Sequence, residues 1–235
     1  MVWNLLLATG DFQSELPIFR RKRSAFEIED LPGLWRIHWQ WGKKTVLSTF
    51  YTRIDQACIV WGIISALIFV SAQFISVDWQ TQAILWSSLT LIGMAAMVRL
   101  SRHWRNVDVL GKVIDAWVVL MLMGLAVTDL SIFLSWGSLM GQLCALWLVL
   151  NAIGYLYSGL KLRSRAFAVV GWIHLASVVL LPYLSEWQFL LTGVLSGGSP
   201  LLLAELQWDS GDVCAHLSAQ AENSAAILND PLNKS

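Results

Sequence analysis

From Ala57 to Ala204 the chain is an almost unbroken succession of apolar blocks, Ala57–Val77, Thr81–Val98, Val113–Leu134, Leu139–Leu160, Ala166–Leu184 and Trp187–Ala204. Each is close to the length a helix needs to cross the hydrocarbon of a bilayer, about 17 to 25 residues. Lipid cannot satisfy the polar groups of an open sheet edge, so segments of this kind are expected to be helices. The pattern predicts an all-α integral membrane domain over residues 54–204, with six transmembrane helices as three successive outward-pointing hairpins. Ahead of it the pattern changes. Trp35, Ile37, Trp39 and Trp41 alternate with Arg36, His38 and Gln40, a period of two that marks a strand. Gly42-Lys43-Lys44 supplies a turn, and Thr45–Thr52 is rich in β-branched and aromatic residues, so residues 34–52 read as a small β-hairpin. Its tryptophan face suits the headgroup layer, where an apolar ring with a polar N–H is comfortable.

Composition points the same way. The 235 residues are 56% hydrophobic and 14% charged, with a mean hydropathy of +0.58, far from the roughly 25% charge of a globular protein. The net charge is zero, so the position of the charges carries the information. No Lys or Arg occurs from Ile54 to Val98, from Val113 to Leu160 or from Ala166 to Asn233. Connectors alternate in kind: Asp78-Trp79-Gln80, Ser135-Trp136-Gly137-Ser138 and Ser185-Glu186 hold no positive charge, whereas Arg99–Lys112 holds four and Lys161–Arg165 three. By the positive-inside rule the basic connectors and the N-terminal region, residues 1–53, are cytoplasmic. Six spans return the acidic tail, residues 205–235, to the same side. Trp79, Trp136 and Trp187 mark the outer turns, and Trp104 and Trp208 the inner boundary. Met1–Gly10 has no basic residue ahead of Leu5-Leu6-Leu7 and does not read as a cleaved signal peptide. The run Arg20-Arg21-Lys22-Arg23 reads as a topology signal. It is also the candidate lipid-facing surface, drawn to anionic headgroups by about 1 kcal/mol per residue close to the membrane.

Polar groups within spans are costly in lipid, which makes them candidates for function. His174 lies near the middle of the fifth span. Asn151 is twelve residues before Arg163, the centre of the connector, and His174 eleven after it, so the two share a depth and are expected to hydrogen-bond across the helix pair. As an axial ligand of haem or of a pigment His174 would act alone, since His103 lies at the inner edge of the second span and His38 and His216 lie outside the spans. Asp115 and Asp129 sit near the ends of the third span and Gln73 and Gln142 near the outer ends of theirs, all read as helix-end groups. Gly137-x-x-x-Gly141, Gly193-x-x-x-Gly197 and the looser Gly154/Ser158 pair mark places of close helix approach. Gly197-Gly198-Ser199-Pro200 is expected to kink or interrupt the sixth span. Cys58, Cys144 and Cys214 lack metal-like spacing and read as reduced apolar residues. No phosphate-binding loop, HExxH, CxxC or GxSxG is present, and the basic residues are accounted for by membrane orientation rather than by nucleic acid. No catalytic residue, metal or cofactor is expected.

The runs Phe26-Glu27-Ile28-Glu29-Asp30-Leu31-Pro32-Gly33-Leu34-Trp35, Trp41-Gly42-Lys43-Lys44-Thr45-Val46-Leu47-Ser48-Thr49-Phe50 and Leu202-Leu203-Ala204-Glu205-Leu206-Gln207-Trp208-Asp209 resemble those of uncharacterised cyanobacterial integral membrane proteins. The resemblance covers most of the chain and implies a plasma or thylakoid membrane location, without naming an activity. The expected function is non-enzymatic: an accessory or assembly factor for another membrane complex, contacting it through the cytoplasmic N-terminal region. The alternatives are a small-solute channel or carrier, with His174 and the sixth-span break on the path, and a haem or pigment binder.

Overall fold

The structure, a computed structural model, describes residues 17–22, 35–41, 44–102 and 108–209. A short strand, β1 (Phe19–Arg21), precedes the strands β2 (Trp35–Trp41) and β3 (Lys44–Tyr51). Long helices follow: α1 (Arg53–Phe74), α2 (Trp79–Leu100) and α3 (Asp108–Phe133). After the four-residue helix α4 (Gly137–Met140) come α5 (Leu143–Leu162), α6 (Arg165–Leu180, continued by a 3-10 turn Leu181–Leu184), α7 (Gln188–Glu205) and a last strand β4 (Leu206–Trp208).

Local chemistry explains where the helices start. Thr52 and Asp55 form a reciprocal capping box at α1: the Thr52 hydroxyl accepts from the Asp55 N–H, and the Asp55 carboxylate accepts from the Thr52 N–H at 2.8 Å. Asp78 caps α2 by accepting from the Thr81 N–H at 2.8 Å. That bond is the main reason its carboxyl is held below the usual range. α5 stops at Arg163, which adopts the left-handed conformation, φ 50°. The reversal it makes turns the chain directly into α6.

Among the described residues, five helices are long and apolar enough to cross a membrane: Arg53–Phe74, Trp79–Leu100, Val109–Phe133, Leu143–Leu162 and Arg165–Leu184. α7 falls short because Gly, Ser and Pro dilute its leucines and Gln188 and Glu205 end it. Side-chain placement is that of an all-α membrane protein. Leu67, Ile92, Val119, Ile153, Val179 and Val194 are exposed on the outside, while Thr128, Asn151, Ser158, His174 and Thr192 are buried. A water-soluble bundle has the opposite preference.

The helices close into a ring. α1 packs on α2, α2 on α3, α3 on α5 and α5 on α7, while α7 returns to α1, its chief neighbour, and α6 lies outside the ring against α5. The last pair in the sequence, α6 and α7, therefore does not form a hairpin packed like α1/α2. Small residues allow the tightest approach. A Cβ at Gly197 would sit 3.0 Å from the Gly62 oxygen and 3.2 Å from the Ala66 nitrogen, and one at Gly193 would strike the Cβ of Phe69. Gly193-x-x-x-Gly197 is thus the seam between α7 and α1, and Gly154 admits the Trp117 ring in the same way. Gly137-x-x-x-Gly141 is not a seam. Gly137 has open space beside it, because α4 ends before α5 begins and presents no stripe to a neighbour. Nor is the sixth apolar block interrupted: α7 runs unbroken through Pro200, which costs it the one N–H that proline lacks.

The strands gather at one end. β2 and β3 form an antiparallel hairpin, Trp35 opposite Tyr51 through Trp41 opposite Lys44, with an irregularity at Trp39/Gln40, as the alternation over residues 34–52 predicts. β1 and β4 pair antiparallel, Phe19 opposite Trp208 and Arg21 opposite Leu206. The two ends of the described chain thus meet in one strap.

Candidate functional site

Two places concentrate polar and aromatic side chains: the strap with its neighbours, and the interior of the ring. At the strap, Lys22 reaches the Asp55 carboxylate at 2.6 Å with both side chains only 6% exposed, and its ammonium lies 4.7 Å from the Tyr51 ring centroid. Tyr51, at the base of the hairpin, donates its hydroxyl to Glu205 at 2.7 Å. Burial first and that bond second push the Tyr51 hydroxyl up to about 12. Asp209 caps α6 from the far end of the chain. It accepts from the Ser164 hydroxyl (2.7 Å), the Arg165 and Ala166 N–H groups (3.0 and 3.2 Å) and the Arg165 guanidinium (2.8 Å). Burial would raise its carboxyl, but these four donors outweigh burial and hold it below the usual range. The seat is a helix N-terminus, where a carboxylate is favoured by the free N–H groups. Trp35 and Ile37 on the hairpin are 56% and 41% exposed.

The expectation of a lipid-facing basic run is corrected at Lys22, which is buried in the ion pair with Asp55. Lys22 directly follows β1, and the Asp55 carboxylate and the Tyr51 ring face give its ammonium partners that hold it inward. Arg20, on β1 itself, is half-buried. The side chain of Arg21 and the whole of Arg23 lie outside the described residues, as do His103, Trp104, Cys214 and His216.

In the interior, the expected bond between Asn151 and His174 is not made. Asn151 donates instead to the Ser196 hydroxyl on α7 at 3.0 Å. Contacts across the α5/α6 pair, Gly159 on Ala168 and Gly171 on Leu156, set a register that brings the Tyr155 ring to His174, 5.1 Å between centroids. Counting from the connector gave the depth to within a turn but not the direction around the helix. His174 is fully buried, its Nδ1 2.9 Å from the Val170 oxygen, and its Nε2 has no hydrogen-bond partner. A carbonyl only accepts, so Nδ1 carries the proton and Nε2 keeps its lone pair. That lone pair is enclosed by protein and His174 does not line the cavity described below, so the ring as it stands leaves no room for a porphyrin beside it. Among the described residues no cluster of three His, Cys, Asp or Glu could hold a metal ion. Cys58 and Cys144 are free thiols.

A cavity of ≈ 150 Å³ runs inside the ring, lined from every long helix and from Trp208. Four tryptophans build much of its wall, and each spends its indole N–H on a neighbouring helix: Trp61 on the Met97 sulfur (3.3 Å), Trp86 on Ser71 (3.2 Å), Trp117 on Ser158 (3.0 Å) and Trp147 on Thr128 (3.2 Å). Asp129, expected as a helix-end carboxylate, accepts from Ser87 of α2 at 2.8 Å. Gln73 donates to the Glu186 oxygen (2.8 Å) and accepts from the Leu190 N–H (3.2 Å), holding the start of α7 on the end of α1. Asp115 and Gln142 are exposed. The tryptophan ties had no signal in the sequence beyond the abundance of that residue, 14 in all.

Fold and interior together define a helical membrane protein with a closed ring of helices around an apolar core space. Set against protein-family models, curated proteins and solved structures, the chain matches none.

Proposed function

We propose that this is a six-span membrane protein acting without catalysis as an accessory or assembly factor for another membrane complex. In this reading α7 is the sixth span. Its 18 residues extend about 27 Å, near the roughly 30 Å of the hydrocarbon core, and its less apolar face is turned to α1. Both termini and the strap then lie in the cytoplasm, the side to which the basic connectors assign them, and the membrane is a plasma or thylakoid membrane. The observation that carries the reading is the mounting of the hairpin. Tyr51 at its base is pinned by Lys22 from one end of the chain and Glu205 from the other, while Trp35 and Ile37 face outward. A fixed, exposed apolar patch with a tryptophan in it is how interfaces present their anchors. A solute path is less well supported, because α7 is continuous and no charged residue is among those lining the cavity.

The test is photo-crosslinking in native membranes, with a benzophenone amino acid at position 35, 37 or, as the opposite-end control, 183. The same protein adduct is expected from 35 and 37 and not from Tyr183, which is 82% exposed at the other end of the bundle. Adducts to lipid alone from positions 35 and 37 would overturn the assembly role.

A further inference from the structure

We infer that the space inside the ring is a binding site for one long hydrocarbon chain, acyl or isoprenoid, of a lipid-class molecule. The first argument is shape. On α1 the lining runs from Ile54 to Phe69 and on α3 from Leu110 to Thr128, so at 1.5 Å per residue the space is about 22 to 27 Å long. A rounded void of about 150 Å³ accepts a single small ring. The same volume, which is the room open to the centre of a water-sized sphere, is about 6 Å² in section when drawn out over that length, and the sphere's own radius of about 1.4 Å widens it to a slot one chain across, longer than the roughly 15 Å of a single leaflet. A chain can fill it along its whole length, whereas a compact solute would leave most of it empty.

The second argument is polarity. None of the residues lining the slot is charged. The indole N–H groups of Trp61, Trp86, Trp117 and Trp147 are spent between helices, so these side chains offer the lumen carbon rather than a donor. Several hydroxyls of the wall are already engaged: Asn151 donates to Ser196, Ser87 donates to Asp129 and Ser158 donates to the Gly154 oxygen. Water or an ion entering the slot finds few partners, while a methylene chain meets carbon along most of the wall. In a bilayer the ligand is already dissolved in the surrounding solvent, so selectivity arises from the fit of the chain to the slot. The proposal is independent of the hairpin's partner and stands if that reading fails.

The experiment is native mass spectrometry of the full chain, stripped of lipid by detergent exchange and then incubated with a long-chain fatty acid or a linear prenyl alcohol. A one-to-one adduct is expected with at least one probe, and the probe that persists distinguishes the acyl from the isoprenoid source. Two variants plug the slot from opposite walls, Ser65→Phe on α1 and Leu125→Phe on α3. Both should lose the adduct, with an unchanged thermal midpoint in at least one of them separating a blocked site from a damaged fold. No one-to-one adduct with either probe, or an adduct kept by both variants in folded form, overturns the proposal.

Discussion

Lys22 and Asp55 show how much a single pair decides at this end of the molecule. Both are buried, so removing one leaves the other as an uncompensated charge, a loss on the order of 3–5 kcal/mol. Lys22→Ala should therefore lower the thermal midpoint in detergent strongly, and Lys22→Met with Asp55→Asn should restore part of it. If the single and double variants lose the same amount, the pair does not act as a unit. Asp209 makes a prediction in pH. Its folded-state carboxyl is held low by Arg165, Ser164 and two backbone donors that together outweigh burial. Its contribution is therefore complete above the ordinary carboxylate value of 3.8 and is lost as pH falls through the lower folded-state value. The acid limb of a midpoint-against-pH curve should be shallower in Asp209→Asn, and an unchanged limb would count against the cap. Only the local part of this chemistry is legible in the sequence. Thr52-x-x-Asp55 is a capping box by spacing alone, but Lys22 to Asp55 and Ser164 to Asp209 join residues 33 and 45 apart, and those contacts flank the β1–β4 pairing, which the local pattern does not contain.

Among the elements, α7 shows where pattern reading succeeds and where it stops. Gly193-x-x-x-Gly197 and Gly137-x-x-x-Gly141 are equivalent as strings, yet only the first lies in a helix with a partner across from it. Helix length and neighbour, which the motif does not contain, decide between them. The same limit applies to Pro200, where Gly-Gly-Ser-Pro argues for a break that packing on α1 overrides. Gly197→Val should be strongly disruptive, because the nearest atoms to the new Cβ are backbone of Gly62 and Ala66 and cannot swing aside. An overpacking loss of about 1–3 kcal/mol is expected. Gly198→Ala, beside open space, should be neutral or slightly stabilising by up to about 1 kcal/mol. Thermal midpoints of the two variants read this directly, and equal losses would remove the seam. The ties between elements are individually modest. Trp117→Phe, which leaves Ser158 without its indole donor, should cost about 0.6 kcal/mol, the average for a hydrogen bond between membrane helices.

For the molecule as a whole, the hydropathy pattern and the alternation of basic connectors carry most of what can be read in advance: a helical membrane protein, the position of each long helix to within a few residues, and the hairpin ahead of them. The ring order is not in that pattern, because nothing in a one-dimensional string of apolar blocks says that the last block docks on the first. Side assignment is open to a direct measurement. In a background without Cys58, Cys144 and Cys214, single cysteines at Arg102 and Lys161 should react with an impermeant thiol reagent from one side of sealed membranes, and one at Tyr183 from the other. Reaction of positions 161 and 183 from the same side would remove the six-span topology.

The docking of α7 on α1, fastened by β1 against β4, sets an order of events during synthesis. Among the described helices α1 is the first long one to be made, yet the neighbour that covers its Gly62 face is the last of them. Until then the nascent protein holds an open seam in the bilayer, and a chain cut short before Gly193 never shuts it. Closure of the Gly62 face therefore waits for α7, whatever the helices between them have already formed.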